Sequence, residues 1–230
     1  MRVPVGFCAG NSIRGKSYAV SGIRRTGQRY LLIACIDVKI PTEIYLRNDV
    51  VKVARELLGK VLCTHLEGTP TAAIIAETEA YAGVIDRASH AFEGRRTRRT
   101  EPMFRPGGIA YVYLCYGIHH LFNVVTGEEG TPHAVLVRAG SPVEGVETML
   151  SRRRKDRVDK TLMGGPGTFS QALGIRTSMT GSDLSGNRIW IEDRGIVVRA
   201  RDIEAGPRIG VDYAGDDARK PFRFVATTWT

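Results

Sequence analysis

The chain has 230 residues, of which 43% are hydrophobic and 25% charged, and its formal net charge is +9. This composition is typical of a globular protein with one sizeable core and argues against a low-complexity chain. The four cysteines form no CxxC pair, and the early apolar run YLLIACI (30–36) is too short to cross a bilayer. We therefore expect a cytoplasmic protein with reduced cysteines and no membrane partner. Its positive charge predicts a polyanionic partner.

The basic charge is concentrated near the N-terminus, where residues 1–40 contain seven Lys or Arg and one Asp. This part is rich in Gly, Ser and Arg and has no sustained hydrophobic periodicity. The sequence predicts a disordered basic extension over residues 1–38 and one folded domain over residues 39–230. Two interpretations of the extension stay open: a reading frame opened too far upstream, and a basic arm that adds nonspecific DNA affinity.

The domain begins with a predicted helix and two predicted strands. Apolar residues between positions 50 and 58 form a helical stripe, with Asn48 as the N-cap and Gly59 as the C′ residue. KVLCTHL (60–66) and TAAIIAETEAY (71–81) are typical of strands joined by a turn.

The remaining elements predict more strands than helices. Helices are expected at SPVEGVETMLSRRRK (141–155) and GPGTFSQALGI (165–175), and strands at IAYVYLCYG (109–117), HAVLVRAG (133–140), RIWIED (188–193), GIVVRARDI (195–203) and KPFRFVAT (220–227). There is no strict βαβ alternation and no GxGxxG or GxxxxGK[ST] loop, which argues against nucleotide binding of those types. The fold class predicted is α+β: a single mixed domain with a curved, mainly antiparallel sheet flanked by a few helices.

Two carboxylates lie close together in the second strand. Glu77, Glu79 and Tyr81 share one face of a regular strand, because side chains alternate with a period of two. A partly desolvated carboxylate near a second one has a raised pKa and can serve as a general base near neutral pH. We expect Glu79 to be functional, and Glu77 to be solvated at a strand end or paired with an arginine of the clusters 95–99 and 152–157.

The histidines raise the question of a metal site. His90 and the adjacent His119 and His120 could supply ligands together with Glu79, but neighbouring residues on a strand point to opposite faces. No HxxxH or HxH spacing is present, so we expect no metal and no cofactor.

Tyrosines and arginines together predict a nucleic-acid surface. Tyr111, Tyr113 and Tyr116 lie in one short strand near the arginine-rich segment 95–99. Aromatic faces stack on bases and arginines bind phosphates, although half-buried packing is the commoner role of strand tyrosines.

Several motifs in order carry a resemblance to a known family. They are ETEAY (77–81), SHA (89–91), MFRPGGIAYVYLCYGIHHLFNVV (103–125), VLVRAGSPVEG (135–145), GPGTFSQALGI (165–175) and ARKPFRF (218–224). From about Ile40 to the last strand, the sequence resembles the alkyladenine (3-methyladenine) DNA glycosylases. The resemblance implies a monofunctional enzyme that flips an alkylated purine out of duplex DNA and hydrolyses its N-glycosidic bond.

The resemblance also implies roles for the residues that contact water and DNA. Glu79 is similar to the general base that activates the attacking water, and Arg138 to its partner in holding that water. The carbonyl of Ile209 falls where the family supplies a backbone acceptor. Tyr116 resembles the wedge that fills the gap left in the duplex.

Four further residues resemble the family's base pocket. Tyr81 and Tyr113 are similar to the aromatic walls that sandwich the base, and His90 to the hydrogen-bond partner on its edge. Asn123 matches the asparagine that disfavours guanine through its exocyclic amine. A cationic purine is expected to stack on electron-rich rings with a gain of about 1–2 kcal/mol.

The sequence departs from the family at some positions. Thr168 stands where relatives commonly carry lysine, so a phosphate contact is expected to be lost, and His119 and His120 differ from the family's residues beside the wedge. We expect a monomer acting on double-stranded DNA that contains damaged purines. The alternatives are a nucleic-acid-binding module without catalysis and a metal-dependent hydrolase using Glu79, His90 and His119.

Overall fold

The computed structural model describes residues 20–23, 29–32 and 38–229. The chain divides into two compact units, Met1–Ile36 and Asp37–Thr230. In the first unit, β1 (Val20–Ile23) pairs antiparallel with β2 (Arg29–Leu32). The prediction of disorder over residues 1–38 otherwise lies outside the described residues and stays a prediction.

The second unit contains four α-helices and nine strands among its described residues, together with short 3-10 turns. The helices are α1 (Thr42–Tyr45), α2 (Val50–Glu56), α3 (Val146–Arg153) and α4 (Pro166–Ala172). The strands are β3 (Val38–Lys39), β4 (Val61–Leu66), β5 (Thr69–Tyr81), β6 (Ala110–Cys115), β7 (His119–Thr126), β8 (His133–Glu144), β9 (Ile189–Asp193), β10 (Ile203–Gly206) and β11 (Arg223–Ala226).

All nine strands belong to one antiparallel sheet, which confirms the predicted α+β class. The order is β3-β9-β4-β5-β8-β7-β6, and β11 joins β10 to the C-terminal half of β5. Strand β5 therefore pairs with β4 over Thr69–Ile74, with β11 over Glu77–Glu79, and with β8 along most of its length. The segment that contains Glu79 thus lies between two neighbouring strands, which fixes its backbone on both sides.

The main core is formed by the helices packing on this sheet. Val53 and Leu57 of the α2 segment, Met149 of α3 and Phe169 of α4 are buried against apolar residues of the central strands, such as Ile75. None of the helices in the described part of the chain is long and apolar enough to cross a membrane.

Two predicted helix starts and one predicted strand are wrong, and strand β7 was not predicted. The N-cap of α2 is Asp49, whose side chain accepts a hydrogen bond from the Lys52 amide at 2.9 Å, one residue after the predicted Asn48. Residues 141–144 continue β8, and helix α3 begins only after Gly145, whose left-handed φ of 69° ends the strand.

The third error is the strand predicted over residues 195–203, of which only Ile203 is in a strand. Ile196 and Val198 pack on the core while Val197 is 81% exposed, so burial alternates as it would in a strand. Both edges of the preceding strand β9 are already occupied by β3 and β4. The alternation therefore reflects packing, and no ladder forms.

Candidate active site

Seven of the eight predicted site residues line one cavity of about 510 Å³. They are Tyr81, His90, Tyr113, Tyr116, Asn123, Arg138 and Ile209. The eighth, Glu79, is wholly buried and is held by three of the residues that line the cavity. The fold therefore brings together residues that are up to 130 positions apart in the chain. It does so through strands β5, β6, β7 and β8 and the segment before β11.

The carboxylate of Glu79 accepts hydrogen bonds on both oxygens. The Ile209 amide donates to Oε1 at 2.8 Å and the Tyr81 hydroxyl donates to Oε2 at 2.8 Å. Arg138 Nη1 lies 3.3 Å from Oε1. Burial raises the pKa of Glu79 above its usual value, against the opposing effects of Arg138, the Ile209 amide and the Tyr81 hydroxyl. The site thus holds a desolvated carboxylate whose basicity is higher than that of an exposed glutamate.

Arg138 connects Glu79 with the second carboxylate of the strand. Its Nε donates to Glu77 Oε1 at 3.1 Å, and Arg223 Nη1 donates to the same oxygen at 3.1 Å. Glu77 therefore pairs with arginines, but neither belongs to the arginine clusters named in the prediction, and Glu77 orients the guanidinium that contacts Glu79.

The Ile209 position contacts the carboxylate through its amide. The role expected at this position belongs to the carbonyl, and no hydrogen bond of the described residues bears on that role. The Ile209 amide, in the segment between β10 and β11, is a backbone donor that orients Glu79.

A buried ion pair behind Tyr81 was not predicted. Arg208 and Asp86 are both fully buried, and Arg208 Nη2 donates to Asp86 Oδ1 at 2.8 Å. Asp86 also accepts from the amides of Ala82 and Ala88, which fixes the loop between Tyr81 and His90. Asp86 lies between the motifs ETEAY (77–81) and SHA (89–91), and this position is the only sequence signal that points to it.

Three aromatic rings meet at the other wall of the cavity. His90 Nδ1 is 2.9 Å from the Tyr111 hydroxyl, and the His90 ring makes an edge contact with Tyr113 at a centroid distance of 4.6 Å. Burial and then Arg99 lower the pKa of His90 to about 4, so the imidazole is neutral at physiological pH.

Arg99 fixes the tautomer of His90. Its Nη2 lies 3.3 Å from His90 Nε2, and because a guanidinium can only donate, Nε2 is the acceptor. The imidazole proton is then on Nδ1 and is donated to the Tyr111 hydroxyl. Arg99 was not singled out from the sequence, because it is one of four arginines in the segment 95–99.

Tyr116 projects from the hairpin between β6 and β7. It is 91% exposed and adopts a left-handed backbone with φ of 50°, followed by Gly117 with φ of 73°. The Ile118 amide donates to the Cys115 carbonyl at 3.2 Å and closes the turn. The hairpin therefore presents a large aromatic side chain to solvent at the rim of the cavity.

Asn123 is buried, and its amide orientation is fixed. Its Nδ2 donates to the carbonyls of Tyr111 at 3.1 Å and Leu121 at 3.2 Å. Both amide hydrogens are thus used by the backbone of β6 and β7, and Asn123 is held rigidly against the cavity.

The residues expected to differ from the family, Thr168, His119 and His120, lie away from this cavity. The Thr168 hydroxyl donates to the Gly165 carbonyl at 2.8 Å and accepts from the Gly165 amide at 3.0 Å, so Thr168 caps the start of α4. His119 and His120 line a different cavity, and His120 Nδ1 accepts from the Thr177 amide at 3.2 Å. Across residues 38–229, no group of three or more His, Cys, Asp or Glu side chains is placed to hold a metal ion.

Comparison with known proteins places this chain in a family. The sequence model described as "Methylpurine-DNA glycosylase (MPG)" matches residues 43–229. Similar curated proteins bear the name "Putative 3-methyladenine DNA glycosylase". The one from Chlamydia abortus is 46% identical over 187 residues, which cover 81% of this chain and 97% of that protein.

Relatives from distant organisms show the same similarity. The protein of that name from Desulfitobacterium hafniense is 42% identical over 193 residues, covering 81% of this chain and 94% of its own. The one from Methanocella arvoryzae is 45% identical over 186 residues, covering 80% and 90%. The chain therefore belongs to the methylpurine-DNA glycosylase family.

Proposed function

We propose that this protein is a monofunctional DNA N-glycosylase, which flips alkylated purines such as 3-methyladenine out of duplex DNA and excises them by hydrolysis. The observation that carries the proposal is the placement of Glu79. Its buried carboxylate lies beneath an aromatic cavity of about 510 Å³, and the rim of that cavity bears the exposed Tyr116.

The shape of the site supports recognition of a flipped base. Chemistry on a stacked base requires its extrusion, and the cavity is large enough for one purine. In the proposal, Tyr81 and Tyr113 stack on the base, His90 contacts its edge, and Asn123 limits entry of guanine. Tyr116 enters the duplex and occupies the space that the base leaves.

The environment of Glu79 supports hydrolysis by an activated water. Glu79 accepts a proton from water, and the water oxygen bonds to C1′ of the deoxyribose. The electrons of the N-glycosidic bond leave with the purine, for which a cationic alkylated base is a good leaving group. A carboxylate oxygen can accept two hydrogen bonds, so Oε2, which accepts from Tyr81, retains capacity for the water.

Arg138 and Ile209 hold the carboxylate in place for this step. Arg138 favours the ionised form of Glu79, because a nearby positive charge opposes the effect of burial on its pKa. The family's role for the Ile209 carbonyl, as an acceptor for the same water, is part of the proposal. The product is an abasic site, since no amine nucleophile takes part.

The test is excision from a duplex that contains 3-methyladenine or hypoxanthine, scored as alkali-labile abasic sites. The Glu79→Gln variant should bind lesion DNA with near-normal affinity, and its single-turnover rate should fall by about 10²–10⁴-fold, the usual contribution of a general base. Glu147→Gln, which changes an exposed glutamate of α3, is the matched control and should excise normally.

The assay also separates the proposal from a binding module without catalysis. Such a module would bind the duplex through the same tyrosines and arginines but would release no base. Binding without abasic product from the unmodified protein would therefore favour the module, and full activity of Glu79→Gln would remove Glu79 from its role.

A further inference from the structure

Each of the two proposed base-stacking rings already has a guanidinium against it. Arg208 Cζ lies 4.8 Å from the centroid of Tyr81, and Arg99 Cζ lies 5.0 Å from the centroid of Tyr113. Arg208 is fully buried behind Tyr81, whereas Arg99 is exposed and lines the cavity itself. The quadrupoles that would attract a cationic base are therefore partly engaged by the protein's own cations.

The charges of the arginines around the cavity are compensated to different degrees. Arg208 is paired with Asp86, and Arg138 is paired with Glu77 and Glu79. Arg99 forms no ion pair with a carboxylate in the described part of the chain, and it contacts His90, Tyr111 and Tyr113. Arg99 thus contributes a net positive charge at the wall where the base would lie.

The imidazole of His90 responds to that charge. Its pKa is lowered to about 4 by burial and, as the second cause, by Arg99. A cationic purine in the same cavity would encounter the same two effects, since desolvation and a like charge both disfavour a positive group.

We infer that Arg99 is a specificity-determining residue of this pocket and that it favours neutral damaged purines over cationic ones. This inference rests on the proposed function and concerns how strongly the pocket discriminates between cationic and neutral substrates. Arg99 is exposed, so solvent screens its charge and the expected effect is severalfold only.

The experiment compares two lesions in one duplex sequence: 7-methylguanine, which is cationic at neutral pH, and hypoxanthine, which is neutral. Single-turnover rates are measured with enzyme in excess, and the ratio of cationic to neutral rates is compared between variants. The different labilities of the two glycosidic bonds cancel in this comparison. Arg99→Gln should raise the ratio by about threefold to tenfold.

Two further variants test whether the change in the ratio depends on the position of the positive charge or only on its presence. Arg98→Gln removes the same charge from the neighbouring exposed residue and should leave the ratio unchanged. Arg99→Lys retains the positive charge and should keep the ratio near that of the unmodified protein. An unchanged or lower ratio in Arg99→Gln, or an equal rise in Arg98→Gln, would overturn the inference.

Failure of the proposed function gives a different result from failure of this inference. If the unmodified protein excises neither lesion, the proposed function fails. The inference is then tested with the two lesions on 2′-fluoro sugars, which resist hydrolysis, through the ratio of their dissociation constants. Arg99→Gln must shift that ratio toward the cationic lesion, and an unchanged ratio overturns the inference.

Discussion

The hydroxyl of Tyr81 donates a hydrogen bond to Oε2 of Glu79 at 2.8 Å. Tyr81 therefore has two roles in β5. Its ring lines the cavity, and its hydroxyl stabilises the ionised carboxylate of Glu79 beneath. The period-two alternation of the strand places both side chains on the same face. The pH dependence of the reaction is therefore tied to the residue that is proposed to stack on the base.

Replacing Tyr81 with phenylalanine should move the acid limb of the reaction to higher pH. Phenylalanine keeps the ring but removes a hydrogen bond that lowers the pKa of Glu79, so that pKa rises further above its usual value. A base with a higher pKa becomes ionised only at higher pH. The measurement is the single-turnover rate as a function of pH, with Tyr111→Phe as the control, since that hydroxyl contacts His90. An acid limb that stays in place would separate Tyr81 from the ionisation of Glu79.

Replacing Glu77 with glutamine should have the opposite effect on the acid limb. The negative charge of Glu77 raises the pKa of Glu79, and Glu77 also shares Arg138 with it. Without that charge the pKa of Glu79 falls, the base is ionised at lower pH, and the limb moves down. The same pH series measures the shift, and Glu147→Gln should leave the profile unchanged. A limb that moved to higher pH would mean that Glu77 chiefly serves to orient Arg138.

Local pattern was sufficient to predict six of the nine strands of the described sheet, but it missed β7 and wrongly predicted a strand after β9. The strands around Glu79 and Tyr113 have aromatic and β-branched residues and clear turn signals, so local preference and tertiary structure agree there. Residues 195–199 have the same alternation, yet both edges of β9 were already paired. Whether a strand finds a partner is decided by the whole sheet, which a local pattern does not contain.

The candidate site was predicted from ordered motifs, and what was missed depends on long-range contacts. Asp86 and Arg208 are 122 positions apart, and only the fold shows that they form one buried pair. Arg99 is similar in sequence to Arg98, and only its contacts with His90 and Tyr113 distinguish it. The motifs identify residues that face the cavity, whereas the residues behind them become visible only in three dimensions.

Breaking the pair of Asp86 and Arg208 should strongly destabilise the protein. Asp86→Ala leaves a buried guanidinium without its partner and removes the acceptor for two loop amides, so the free energy of unfolding should fall by about 3–5 kcal/mol. The double variant with Arg208→Met should lose less than the sum of the single changes, because it leaves neither charge unpaired. Denaturant unfolding of all four proteins measures the coupling.

The matched control for this cycle is the pair of Asp216 and Arg219, which are both highly exposed. An exposed ion pair contributes about 0–1 kcal/mol, so Asp216→Ala should change stability little. If Asp86→Ala were as mild as Asp216→Ala, the loop before His90 would not depend on the buried pair.

Replacing Tyr116 with asparagine should stabilise the protein while removing activity. Tyr116 adopts a left-handed backbone with φ of 50°, which costs an ordinary residue about 1 kcal/mol and which asparagine tolerates better. Its side chain is 91% exposed, so little packing is lost. The melting temperature should therefore rise, whereas excision from duplex DNA should fall because no side chain fills the gap left by the flipped base.

Glu67 offers the matched control, since it has a φ of 53° before Gly68 in the turn between β4 and β5. Glu67→Asn should raise stability by a similar amount and leave excision unchanged. If Tyr116→Asn excised lesions normally, the wedge role would be wrong, and the strained turn would need another explanation.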